Sequence, residues 1–125
     1  MRWVWVAILL PVSAFADPAL ECADAGSQVE IGTCVGRAET NVEAALVAAF
    51  GFAVDAAKEL DEVTGRAVAL PALETSQEAW KTYRDAQCEA VGASFGGGSG
   101  TGIAITSCRV ELGRARVTEL LRFLD

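Results

Sequence analysis

Histidine is absent from the sequence. That excludes Ser-His-Asp and Cys-His nucleophilic pairs, histidine-ligated metals and histidine pH switches. Methionine and tyrosine occur once each, and proline three times. Glycine and proline together are too few for a collagen-like or low-complexity chain. Bases are scarce as well: 10 Lys and Arg stand against 17 Asp and Glu, a formal net charge of -7. A nucleic-acid partner requires a basic footprint, which this composition does not supply. Only one apolar run stands out as long enough to bear on a membrane, and it is N-terminal.

That run has the form of an export signal. Met1 and Arg2 give a short positive start, Trp3 to Val12 is apolar apart from Pro11, and Ala14-Phe15-Ala16 is a small-x-small exit. Residues 1–16 are therefore read as a signal peptide and residues 17–125 as one mature domain. The run is shorter than the roughly 20 apolar residues of a membrane span, so no stable span is expected. Lipidation at Cys22 would require a small residue before it, and Glu21 stands there. The mature chain is expected to be soluble, and its length suits one modest core.

Four cysteines remain after cleavage: Cys22, Cys34, Cys88 and Cys108. An even count in a short exported chain reads as two disulfides. Without a C-x-x-C knuckle or a histidine, a zinc site is not indicated. Pairing Cys22 with Cys34 and Cys88 with Cys108 closes two short loops, each worth roughly 2–4 kcal/mol. Cross-helix pairing, such as Cys34 with Cys88, remains open. Charge is lopsided too. Residues 17–62 carry most of the acids, with only Arg37 and Lys58 as bases, whereas residues 63–125 are balanced. An acidic half steers basic partners; the plainer reading is that it confers solubility.

The alanine-rich mature chain favours helix. Val42, Ala45, Leu46, Ala49, Phe50, Ala53, Ala57 and Leu60 recur in steps of three and four, predicting a helix over 39–60. Thr40 or Asn41 is read as its N-cap, with an earlier start near Thr33 left open. Thr64-Gly65 marks its end. A second helix begins near Pro71, with Leu73, Gln77, Trp80, Arg84, Cys88 and Val91 on one face. Gln77 and Arg84 interrupt that face and need partners on a neighbouring element. Gly92 to Gly102 reads as a loop carrying Phe95, and it lacks the Gly-Lys-Ser/Thr ending of a phosphate-binding loop. A third helix is expected over about 103–123, with Cys108, Leu112, Ala115, Leu120, Leu121 and Leu124 as apolar surface. Its Arg109, Arg114, Arg116 and Arg122 are expected to meet acids of the first helix. The expected fold is all-α: a small antiparallel bundle of about three helices, stapled by two disulfides at one end.

The stretch from Leu73 to Cys88, LETSQEAWKTYRDAQC, resembles the L-x-x-x-Q-x-x-W-x-x-Y-R-D-x-x-C pattern of the LprI-type lysozyme-inhibitor domain family. The glycine-rich segment, Cys108, Arg116 before a leucine, and the upstream Cys22 and Cys34 are also similar. The resemblance covers nearly the whole mature chain. It implies a helical, disulfide-linked domain of the bacterial cell envelope, periplasmic or secreted. Gln77, Trp80, Tyr83, Arg84, Cys88 and Cys108 are the signature positions. They are read first as structural, with Trp80 buried and Arg84 bracing the fold through carbonyls or a carboxylate.

Two functions compete. One is a non-catalytic module binding a basic envelope-acting protein, lysozyme above all. Its candidate contacts are Glu39, Glu43, Asp55, Glu59, Asp61 and Glu62, with Phe95 entering a cleft. The other is a structural or stress-related periplasmic protein binding other envelope components; neutralisation of the acids by Arg109, Arg114 and Arg116 would favour it. An enzyme is not read here. No pair among the carboxylates is singled out for glycoside hydrolysis, and no cofactor or metal is implied.

Overall fold

The computed structural model describes residues 21–125. The export signal read over residues 1–16 lies outside the described residues. Three helices follow one another: α1 Gln28–Thr64, α2 Ala69–Ala93 and α3 Thr101–Leu121, the last running into a 3-10 turn, Arg122–Leu124. Among the described residues all regular structure is helical, and the expected all-α class holds. Both disulfides join consecutive cysteines, Cys22–Cys34 and Cys88–Cys108.

Helix α1 starts earlier than its apolar periodicity. Ser27 has extended backbone (φ -154°, ψ 166°), and its hydroxyl accepts the Glu30 N–H at 3.2 Å. Glu30 reaches back to accept the Gly26 N–H at 2.6 Å. This is a capping box displaced by one residue, and it places the N-cap at Ser27, not Thr40 or Asn41. The far end closes on Gly65, which is left-handed at φ 68°.

Asp61, in the last turn of α1, also starts α2. Its carboxylate accepts the N–H groups of Val68 at 3.2 Å, Ala69 at 2.8 Å and Leu70 at 3.1 Å. Pro71 has no N–H to satisfy, and Ala72 N–H already bonds to Val68 C=O at 3.2 Å. Every donor in the first turn of α2 is thereby accounted for. The sequence reading made Asp61 a partner contact; in the structure its carboxylate caps α2.

Helix α1, 37 residues and about 55 Å long, is the spine against which the others lie. It contributes Val42, Leu46, Ala49, Ala53 and Ala57 to the core, where Leu73, Val110 and Leu120 meet them. By length and composition alone α1 could cross a membrane, so the N-terminal run is not the one apolar segment that bears on a membrane. Its apolar stripe faces α2 and α3 instead. Ala45 and Leu60, expected on that stripe, are exposed, as are Ala115, Leu121 and Leu124 of the third helix's expected face. Val110, Gly113 and Arg116 are buried in their place.

Small residues set the register. A Cβ at Gly113 would sit 2.3 Å from Cγ1 of Val42, so α3 approaches α1 as closely as a glycine permits. A Cβ at Gly92 would sit 2.5 Å from Cγ1 of Ile105. Gly92 thus belongs to the last turn of α2 and Gly102 to the first turn of α3, and the segment expected as loop shrinks to Ser94–Gly100. Pairs 43 with 84 and 88 with 108 run antiparallel, while 39 with 109 and 42 with 113 show α1 and α3 parallel.

Two outcomes are expected. Gly113→Ala gains about 1 kcal/mol of helix propensity but overpacks β-branched Val42 by about 1–3 kcal/mol, a net loss in denaturant unfolding. Gly51→Ala, with nothing within 4 Å, should only gain; equal effects at both sites would refute the close approach. Separately, the backbone bonds from Leu70 and Ala69 hold the Asp61 carboxyl below its ordinary value of 3.8. A depressed folded pKa adds stability above the unfolded value, lost as pH falls through the folded one. Asp61→Ala should therefore lower Tm at neutral pH, with the gap to the parent closing in acid.

Candidate functional site

Three of the signature residues of α2, Gln77, Trp80 and Arg84, lie in a polar spine between the helices. Arg84 is 7% exposed, and its guanidinium donates to Glu43 at 2.9 Å and to Asp85 at 3.1 Å. Arg109 of α3 donates to the same Asp85 oxygen at 2.8 Å and to Glu39 at 2.8 Å. Glu39 and Glu43 are one turn apart on α1, so Glu39, Arg109, Asp85, Arg84 and Glu43 link all three helices. Burial tends to raise the Asp85 carboxyl, but the bonds from Arg84 and Arg109 outweigh it and hold it below its usual range.

Trp80 extends the spine. The Arg84 guanidinium lies over its ring at 5.0 Å and that of Arg116 at 5.9 Å, both within cation–π range. Arg116, 8% exposed, donates to Gln77 at 3.0 Å, Ser76 at 2.9 Å and Glu119 at 3.0 Å. Gln77 and Arg84 thus find their partners on neighbouring helices. Trp80 is half-buried, not fully enclosed. Tyr83 stands apart at 55% exposure, and nothing in the structure explains its place in the motif.

Arg116 was expected to pair with an acid of the first helix; it is drawn instead onto α2. A signal for this was present. Cys108, Leu112, Arg116 and Leu120 are each four apart, so Arg116 interrupts α3's inner face as Arg84 interrupts that of α2.

The candidate acids divide into two groups. Glu39 and Glu43 are engaged by Arg109 and Arg84. Arg114, expected to meet an acid of the first helix, pairs instead with Glu21 ahead of it. The Arg114 guanidinium holds the Glu21 carboxyl below its usual range. Asp55, Glu59 and Glu62 are exposed on α1 with no ion pair among the described residues. Their spacing of four and three sets them on one outer face, beside Phe52, which is 56% exposed. Phe95 projects from the Ser94–Gly100 loop, 53% exposed and remote in sequence from that face.

Arg116→Ala should cost about 3–5 kcal/mol, because it strips partners from Gln77 and Ser76 and uncovers Trp80. Tyr83→Ala should stay within about 0.5 kcal/mol. Urea unfolding followed by Trp80 fluorescence measures both; similar losses would contradict the spine's structural weight.

Comparison with known proteins identifies relatives of this chain. An uncharacterised protein of Rhizobium meliloti (strain 1021) is 36% identical over 116 residues, covering 87% of this chain and 82% of the relative. No solved structure matches the chain significantly. The family profile described as lysozyme inhibitor LprI matches residues 21–120, which takes in both disulfides and the whole Ser76–Glu119 spine. The chain belongs to the LprI lysozyme-inhibitor family.

Proposed function

We propose that this chain is an exported, non-catalytic protein-binding module that inhibits a lysozyme. Family membership supplies the partner class, and the two disulfides fit an oxidising compartment. The observation that carries the reading is the division of charge. Arg84, Arg109, Arg114 and Arg116 are all engaged internally, so they leave the face of Asp55, Glu59 and Glu62 net acidic, with Lys58 the base among them. An exposed acidic face beside an aromatic ring suits a basic enzyme surface: charge speeds encounter, and Phe52 supplies apolar contact.

One observation favours the second reading, a structural or stress-related protein that binds other envelope components. Arg109 and Arg114 do neutralise Glu39 and Glu21, so the disulfide-bearing end offers a basic partner less than its composition suggests.

A lysis assay separates the two. The oxidised mature chain, titrated against lysozyme at low and moderate salt, should inhibit stoichiometrically and more weakly as salt rises. Glu59→Lys and Glu62→Lys together should weaken inhibition by about tenfold, mainly in association rate. Absence of inhibition against chicken-type, goose-type and invertebrate-type lysozymes would discard the inhibitor reading in favour of the second.

A further inference from the structure

A cavity of about 580 Å³ opens at the disulfide-bearing end, where the start of α1, the end of α2 and the first turns of α3 converge. Its size falls within the range of small-molecule sites, about 300–1,000 Å³. Ile31, Val91, Ile103, Ala104 and Leu112 line it, and Phe95 joins them from the loop. That loop turns through Gly96 and Gly97, at φ 65° and 81°, and the Phe95 ring packs close to Gly100. The cavity shares no lining residue with the Trp80 spine or the outer acidic face.

Four polar side chains, Gln28, Gln87, Ser107 and Glu111, break the apolar wall. Ser107 lines the cavity and is 8% exposed, yet its buried hydroxyl has no hydrogen-bond partner. That oxygen is itself closed off from solvent, so it is not a group that a guest in the cavity touches. Glu111 is the only charged residue in the lining, and it makes no ion pair among the described residues. No Lys or Arg lines the cavity. A carboxylate or phosphate guest would find no counter-charge there, whereas an ammonium would find Glu111.

We propose that this cavity binds a small aliphatic cation, its tail against Ile31, Ile103, Leu112 and Phe95 and its ammonium toward Glu111. The site does not depend on the inhibitor reading, since it uses neither α1's outer face nor a protein partner.

Calorimetric titration of the oxidised mature chain tests it, with n-octylammonium below its micellar concentration as the probe. One ion should bind per chain. Ethylammonium should bind at least about a hundredfold more weakly, for want of apolar burial. Octanoate, repelled by Glu111, should bind about tenfold or more weakly. Glu111→Gln should reduce octylammonium affinity about fivefold at an unchanged Tm. Ala104→Phe should fill the cavity and abolish binding. Should that variant not fold, Phe95→Ala, altered on an exposed loop, should still weaken binding several-fold with the helical circular dichroism intact. The proposal fails if no saturable binding is seen, if octanoate binds as well as octylammonium, or if Phe95→Ala leaves affinity unchanged.

Discussion

Asp85 is the point on which the three helices are hung together. One of its oxygens accepts from both Arg84 and Arg109, and those two guanidiniums reach on to Glu43 and Glu39 of α1. A guanidinium as covered as that of Arg84 has lost most of its water and is tolerable only while its carboxylates remain in place. The requirement constrains all three helices at once. It fixes the rotation of α2, so that Trp80 and Gln77 turn inward with Arg84. It fixes the height of α3 against α1, which the Gly113–Val42 approach allows and the neighbouring Cys88–Cys108 bond holds. Many of the core residues along α1 are alanines, so apolar burial alone would specify the register weakly. Directional hydrogen bonds between charged groups supply much of that specificity.

The same network shapes the outer surface. Each acid drawn into it has its charge offset by a guanidinium, whereas Asp55, Glu59 and Glu62, along the outside of α1 past its midpoint, meet no arginine among the described residues. The structural motif and the exposed charge of this family member are therefore two aspects of one distribution. Arginines on α2 and α3 determine which acids of α1 remain available to a partner.

Fold class, helix number and disulfide pairing were legible in the sequence because each rests on a local signal: three- and four-residue spacing, glycine-rich breaks and short cysteine loops. Gln77 and Arg84 could be recognised as needing cross-helix partners because they interrupt an apolar stripe. The identity of those partners could not be read, since whether Glu43 or a backbone carbonyl lies opposite Arg84 depends on the relative height of two helices. Arg116 was expected to meet the first helix because its own helix has a weak apolar stripe, although its four-residue spacing from Leu112 and Leu120 was available. Ser27 and Glu30 carried a cap signature upstream of the amphipathic pattern that drew attention. Asp61 gave no such sign, because a residue ending one helix caps the next only through the particular bend at Gly65.

The order of the disulfides has a consequence for biogenesis. Each cysteine is joined to its immediate successor in the chain, with separations of 12 and 20 residues and no crossing. For a polypeptide delivered to an oxidising compartment N-terminus first, the correct partner of Cys22 is the next thiol to arrive. That bond can close before Cys88 emerges and offers a wrong choice. The second pair then meets in the same way, with no free thiol left behind to compete. Oxidation in order of emergence would close the two native pairs without a rearrangement.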